Sequence, residues 1–522
     1  MKNITLLKAK VGILAVSCLS ITALFACVDK DARSDLSPSL PTDQAQNGDF
    51  GDQGGGSDQG LNFPVFDDGV LAFPGAEGYG KNVTGARTGE GREIYHVTNL
   101  NDAGPGSFRD AVSKPWRIIV FDVSGVIKLS KDPVVLKSNQ TILGHTAPGD
   151  GIVLYNGRVS ASGAQNLIVR YLRIRMGAAY PSDQVDACGV ANGADMIFDH
   201  CSMTWGRDEC FSINPDGKGT APKNITIQNS IIGQGLQNHS CGGLMQTDIS
   251  NGCTIFRNLY IDNKTRNPKV KGLNQFVNNV VYNWGSGAAY NMGGDSSGKS
   301  ETTIENNYFI VGPCNNWQNV EIAPKVYEAQ QVPMNPARPF TGGNSDFRSY
   351  CKGNYYDYDK DGALNGIEIT EVNWSQYCSG SPTLLEARSD LHPIIRSQKS
   401  AQEAYEWVVE KVGAYLPVRD EVDKYLIDEL TSLGVKGTII QDERKTEQFP
   451  LGGPGTINAA QKPLDSDNDG MPDAFEDAWG LDKYDPTDAV KEAKNGYLNI
   501  ENYALSLEYP DEYEYELNKN KQ

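Results

Sequence analysis

The stretch FRNLYIDNKTRNPKVKGLNQFVNNVVY (256–282) opens and closes on the same kind of phrase, a short apolar strand interrupted by asparagine at its third position. The phrase recurs through the middle of the chain. VRYLRI, FDHCSM, IQNSII, FRNLYI, VNNVVY and IENNYF put Tyr171, His200, Asn229, Asn258, Asn279 and Asn306 at that position, spaced by 29, 29, 29, 21 and 27 residues. Self-similarity at a period of roughly 20–50 residues marks a stacked repeat. Each unit holds short strands separated by Gly, Asn and Asp with little helical periodicity, which favours strands wound in coils over a helical solenoid. The expected fold is all-β, a right-handed parallel β-helix; a β-sandwich is the competing reading. Recurrent Asn fits the coil, because stacked amides hydrogen-bond along a ladder and satisfy polar groups that face inward.

Between two such phrases lies NKTRNPKVKG (263–272), with one arginine and three lysines, in a chain of 66 Asp+Glu against 47 Lys+Arg. The commoner explanation of a basic run is a solvated loop. Pro268 cannot donate a ladder bond and so sits at a loop or strand edge. The basic side chains then project from the flank of a rigid solenoid. A local basic groove on an acidic protein suits an anionic polymer, and export makes an acidic polysaccharide a better ligand than nucleic acid.

Export is read from MKNITLLKAKVGILAVSCLSITALFAC (1–27), where three lysines frame a short apolar run ending in small residues, the pattern of a secretory signal. Leu24-Phe25-Ala26-Cys27 resembles a bacterial lipoprotein lipobox, which implies acylation of Cys27 and an outer-membrane anchor, at the cell surface or facing the periplasm. Residues 28–70 are Gly-, Asp-, Ser- and Gln-rich and read as a flexible stalk. The eight cysteines beyond Cys27 show no metal-ligand spacing, and their pairing is not legible.

Several motifs together resemble the pectate lyase family, as found in Bacteroides-type bacteria: FDHCSMTWGRDE (198–209) and RNPKVKG (266–272), preceded by AFPGAEGYG (72–80), HVTNLNDAGPGSFRDAV (96–112) and RIIVFDVSGVI (117–127). The resemblance implies cleavage of α-1,4-linked polygalacturonate by calcium-assisted β-elimination, with pectate (homogalacturonan) as partner and a monomeric enzyme. It assigns Arg266 as the base and Lys271 to a substrate carboxylate, with Lys269 and His239 as further substrate-binding candidates. Trp205 reads equally as a ring that stacks on sugar or as core or rim packing. The resemblance places calcium at Asp186 and Asp208, with Asp183 and Glu209 as nearby hard oxygen donors. Two positions depart from the family pattern. Ser212 stands where relatives carry another acidic ligand, and Cys241 in NHSCGGLMQTD (238–248) stands where they carry a catalytic lysine.

Two further stretches fit Asp-x-Asp-x-Asp-Gly-x5-Glu, a loop that gathers oxygen ligands around calcium. DSDNDGMPDAFE (465–476) offers Asp465, Asp467, Asp469, the Met471 carbonyl, Asp473 and Glu476, and with the helix-like residues after it resembles a small EF-hand-like calcium module. DYDKDGALNGIE (357–368) offers Asp357, Asp359, Asp361, Asn365 and Glu368, though a turn-rich loop explains it equally well. Residues 401–434 show helical spacing broken by Pro417 and read as two short helices. The division expected is 1–27 signal, 28–70 linker, 71–460 solenoid with flanking helices, and 461–522 calcium-loop module. Two other functions compete. One is a pectin-active glycosidase on the same fold, which needs paired carboxylates; the other is a non-catalytic β-helical glycan-binding protein, to which Cys241 lends weight.

Overall fold

The structure, a computed structural model, describes residues 60–63, 69–130, 132–182, 184–285, 288–293, 299–314, 317–324, 326–331 and 337–519. The signal segment with Cys27, nearly all of the stalk, and Asp183 lie outside the described residues. Among those described, the chain is a right-handed parallel β-helix in which most coils contribute one strand to each of three parallel sheets. One coil illustrates the pattern: Ala194–Asp199 joins the first sheet, Ser202–Thr204 the second and Phe211–Ile213 the third. The interior is a continuous apolar column that includes Leu167, Met196, Ile225 and Phe276, all fully buried.

The corner between the first and second sheets explains the repeated phrase. One residue per coil there adopts the left-handed conformation: Tyr171, His200, Asn229, Arg257, Asn278 and Asn306, with φ between 50° and 58°. Asn tolerates this region because its short side chain bonds locally. Tyr171 and His200 are bulkier, and their rings stack at 4.8 Å, inclined by only 6°.

The expected ladder exists but is offset by one residue from the third-position alignment. Gln228 pairs with Phe256, and Val277 with Glu305. Asn229 and Asn306 therefore stand at the corner. The inward ladder is Ser230, Asn258, Asn279, Asn307 and Asn354, all fully buried. The Ser230 amide donates to Asn258 at 2.9 Å, and successive amide side chains bond at 3.0, 3.2 and 2.8 Å. A one-residue offset changes the face a side chain occupies, and IENNYF carries asparagine at both positions, so the sequence left the choice open.

Helices cover two of the sheets. Ala401–Lys411 and Glu421–Thr431, on either side of Pro417 as expected, begin at the N-caps Ser400 and Asp420. They press Val408, Leu426 and Leu430 onto Leu259, Ile261 and Val280 of the second sheet. The helices Asp473–Trp479 and Asn499–Glu508 supply Phe475, Ile500 and Leu505 to a cluster shared with Val120, Ile168 and Ile197 of the first sheet. No described helix is long and apolar enough to cross a membrane. The eight described cysteines are all free, seven of them buried. Burial pushes the Cys188, Cys201, Cys210 and Cys241 thiols up, which keeps them unreactive.

Candidate functional site

Three successive coils converge at the entry to the third sheet. Glu209 aligns with Cys241, and Cys241 with Thr265, which immediately precedes Arg266. Arg266 has φ 58°, and its carbonyl accepts from the Gly243 amide at 2.8 Å. Two glycines permit this approach. A Cβ at Gly242 would lie 2.6 Å from the Arg266 carbonyl oxygen, and one at Gly243 only 1.9 Å from that of Phe211.

The Arg266 guanidinium is one-third exposed, donates to Glu209 and lies 3.9 Å from Asp208. His239 stands 3.8 Å from the same Asp208 oxygen. The Glu209 amide donates to Asp186 at 3.4 Å, and the two carboxyl groups stand beside each other. Burial, with Asp186 and Asp208 beside it, pushes Glu209 up to about 9. Burial raises Asp186 as well. Three carboxyl groups thus crowd one place with too little positive charge. Their hard oxygens fit calcium, whereas the neighbouring Cys241 thiol is a soft donor that does not. Burial pulls the Arg266 guanidinium down, but Cys241, Glu209 and Asp208 together hold it above its ordinary value.

Ser212 serves the scaffold. Its hydroxyl is buried and accepts from the Leu244 amide at 3.1 Å, tying two coils together. Lys269 and Lys271 flank the buried Val270 on the strand Lys269–Lys271, so both point outward, with Leu244 and Gln246 as their neighbours in the preceding coil.

Trp205 corrects the expectation that it stacks on sugar. It is fully buried, edge-on to Tyr155 and Phe449, with its indole N–H donating to Gln234 at 2.9 Å. The side chain lies on the outer face of the second sheet, covered by Ile440 and Phe449, and has no face to offer a ligand.

The residue that sequence reasoning missed is Lys264. Its ammonium donates to the Asn238 carbonyl, and burial lowers it to about 8, with Cys241 and Arg266 nearby. It brings a cation beside Cys241 from the next coil. The basic run contains it, but only the coil register reveals which lysine is buried.

The loop 465–476 gathers Asp465, Asp467 and Asp469, and Asp469 in turn meets Glu476 and Asp488. Asp473 does not join: its carboxylate accepts from the Ser466 amide and hydroxyl at 2.7 and 2.8 Å. Met471 buries its side chain in the apolar cluster. The loop leads into the helix Asp473–Trp479, but residues 456–465 before it are not helical, so the EF-hand pairing of helices is not present there. The stretch 357–368 links the antiparallel strands Asn354–Asp357 and Ile367–Ile369. There Asp357 accepts from the Asn365 amide at 3.3 Å, and Asp361 takes the Ala363 amide and the Asn365 side chain at 2.8 and 3.2 Å. Asp359 accepts from the Asp361 amide at 3.3 Å, while Glu368 lies exposed on the second strand. These contacts describe a capped hairpin loop.

A family profile described as pectate lyase matches residues 75–328. A probable pectate lyase C of Aspergillus fumigatus is 48% identical over 84% of this chain and 94% of its own length. One from Aspergillus terreus is 49% identical over the same shares. Among solved structures, a pectate lyase from Bacillus sp. N165 in complex with trigalacturonate is 15% identical, with a TM-score of 0.40, covering 65% of this chain and 98% of that one.

Proposed function

The chain belongs to the pectate lyase family and is a pectate lyase; we propose that it opens polygalacturonate by β-elimination, with Arg266 as the proton acceptor. The carrying observation is the convergence of Arg266 with Asp208 and Glu209 on one edge of the third sheet. The C5 proton, α to the uronate carboxylate, passes to the base. Its electron pair forms the C4–C5 double bond, and the C4–O bond breaks towards the leaving sugar. Calcium, held by Asp186, Asp208 and Glu209 with Asp183 as a further donor, would supply charge that stabilises the enolate-like state. Lys271, Lys269 and His239 hold substrate carboxylates, the lysines as point charges rather than bidentate forks. Beside Glu209 the guanidinium is held protonated, so Arg266 must leave that pairing to act, and alkaline working conditions are expected.

A second candidate for the base is Lys264, whose lowered ammonium pKa of about 8 suits proton transfer better than a guanidinium does. Paired variants separate the two. Arg266→Lys abolishes and Lys264→Met spares elimination if Arg266 is the base, and the reverse pattern identifies Lys264. The reaction class is tested by mixing protein, polygalacturonate and calcium and following the ultraviolet absorbance of the unsaturated uronate. Only elimination creates that product, so its absence would favour a glycosidase or a binding protein.

The same proposal extends to residues 1–27 as a lipoprotein signal that leaves Cys27 acylated, with 28–70 as the stalk of an exported, membrane-anchored monomer. Within it, 71–460 forms the catalytic solenoid and 461–522 a calcium-loop region. Mass spectrometry of the mature N-terminus tests the anchor: an unmodified terminus, or one that begins elsewhere, removes it.

A further inference from the structure

We infer that residues 465–488 form a structural calcium site completed by Asp488 rather than by Asp473, and that the ion clamps the C-terminal segment onto the first coils of the solenoid. Asp465 sets the turn, accepting from the Asp469 and Gly470 amides, both at 3.2 Å. The remaining carboxylates are left bare. Both oxygens of Asp467, one of Asp469, both of Glu476 and one of Asp488 are buried without any hydrogen-bond partner. Glu476 is 0% exposed and Asp488 4%. Carboxylate oxygens shut away from water without donors are costly unless a cation meets them.

The oxygens also lie at the right separation. In each of two groups, Asp465 with Asp467 and Asp469, and Asp469 with Glu476 and Asp488, the ligand atoms lie within 4.8 Å of one another. Oxygens about 2.4 Å from a common calcium ion stand at most about twice that distance apart. Asp469 belongs to both groups and links them, and Asp488 closes the second with Glu476. Asp488 is held for the task. Its second oxygen accepts from the Asp482 amide at 3.0 Å, and its carbonyl from Asn499 at 2.8 Å. Asp473, at the position the sequence pattern favours, is spent on Ser466.

The site is not free of the solenoid. A Cβ at Gly470 would stand 3.3–3.4 Å from Ile500, Val120 and Ile94, so the loop glycine rests on the first two strands of the first sheet. Lys462 reaches Asp122 of the solenoid at 3.0 Å and Asp465 of the loop at 3.5 Å. An ion that fixes the loop therefore fixes the segment that covers those strands.

The test uses the full chain carrying Asp208→Asn, which weakens the cleft as a competing site. Terbium alone, excited through Trp479, three residues beyond Glu476, should give luminescence that calcium displaces. Adding Asp488→Asn should weaken both ions at least tenfold and remove the rise in melting temperature on calcium addition. Adding Asp473→Asn should leave both affinities within about twofold. Unchanged binding in Asp488→Asn, or equal weakening in Asp473→Asn, overturns the assignment. Should Asp488→Asn fail to fold, the parent chain decides: chelation must lower its melting temperature and open 461–522 to protease, and indifference to chelation overturns the site.

Discussion

Glu508, at the end of the helix Asn499–Glu508, and Arg170, in the first sheet, form an ion pair at 2.7 Å across 338 residues of sequence, with their side chains only 7% and 3% exposed. Arg170 also holds Asp199 at 2.8 Å and lies over the Phe73 ring. Removing Glu508 leaves the buried Arg170 with Asp199 alone and takes the acceptor from the Tyr171 hydroxyl, and breaking a buried pair costs about 3–5 kcal/mol. Glu508→Ala should therefore lower stability by about 3 kcal/mol in chemical denaturation, although it lies far along the chain from the cleft residues. A loss below about 1 kcal/mol would show that the helix does not anchor the sheet.

Arg266→Lys should reduce kcat at least tenfold, a barrier increase of about 1.4 kcal/mol, with the melting temperature little changed because the side chain is partly exposed. Steady-state assays of the unsaturated product, run beside thermal melts, check both halves. Retained activity would remove Arg266 from proton transfer.

Asn279→Ala should interrupt the ladder where Asn258 and Asn307 meet it. Two buried neighbours then lose a partner, at about 1–3 kcal/mol each. Denaturation should show a loss of several kcal/mol. Asn306→Ala, at the corner rather than in the ladder, should cost less, and equal losses would contradict the observed register.

Asp262, beside the second sheet, and Glu429, on the helix Glu421–Thr431, are two buried carboxyl groups placed close together. Burial raises Asp262 to about 6, and burial with Asp262 alongside pushes Glu429 much further up. The native pair keeps a proton that the unfolded chain releases above about pH 4.5, so the folded state binds more protons over that window. Stability contributed by the pair is complete in acid and falls as pH rises from there into the alkaline range. Glu429→Gln should flatten this slope in melting temperature against pH. A slope equal to that of wild type would rule the pair out as its cause.

Trp205→Ala should cost about 3–5 kcal/mol of stability as a core truncation. A sugar-stacking residue would instead raise KM, so the split between melting and KM separates the two roles.

The coil was legible because its period is written in short apolar phrases, and Arg266, Asp208 and Glu209 were legible because their motifs fall in order. Lys264 was not, since which lysine of a basic run is buried depends on contacts with Asn238 and Gly285 elsewhere in the fold. Asp488 was invisible for a similar reason: twelve residues beyond the loop pattern, it reaches the loop only through the turn that Asn499 and Asp482 fix. Trp205 sits inside a motif that marks the cleft, yet its ring packs outside the coil beneath Ile440 and Phe449, which cover it from a distant part of the chain. Sequence shows which residues share a coil, while side-chain direction at the corners is set by neighbours from other coils.

The turn from the first to the second sheet takes two residues in coil after coil: Gln228 to Ile231, Phe256 to Leu259, Val277 to Val280 and Glu305 to Tyr308. The passage from the second sheet to the third has no such constancy. It is short between Ile261 and Lys269, and between Ile310 and Arg338 it is long enough to carry the hairpin Trp317–Ala323 and Val326–Gln331. Ladder partners are accordingly 21 residues apart in one coil and 47 in another, yet each amide still meets the next. The scaffold is indifferent to length along the flank that bears Arg266 and intolerant of it along the opposite corner. Insertions and deletions can remodel the substrate-facing rim from one descendant to another without altering a single inward contact, so polymer preference is free to diverge while the column beneath stays fixed.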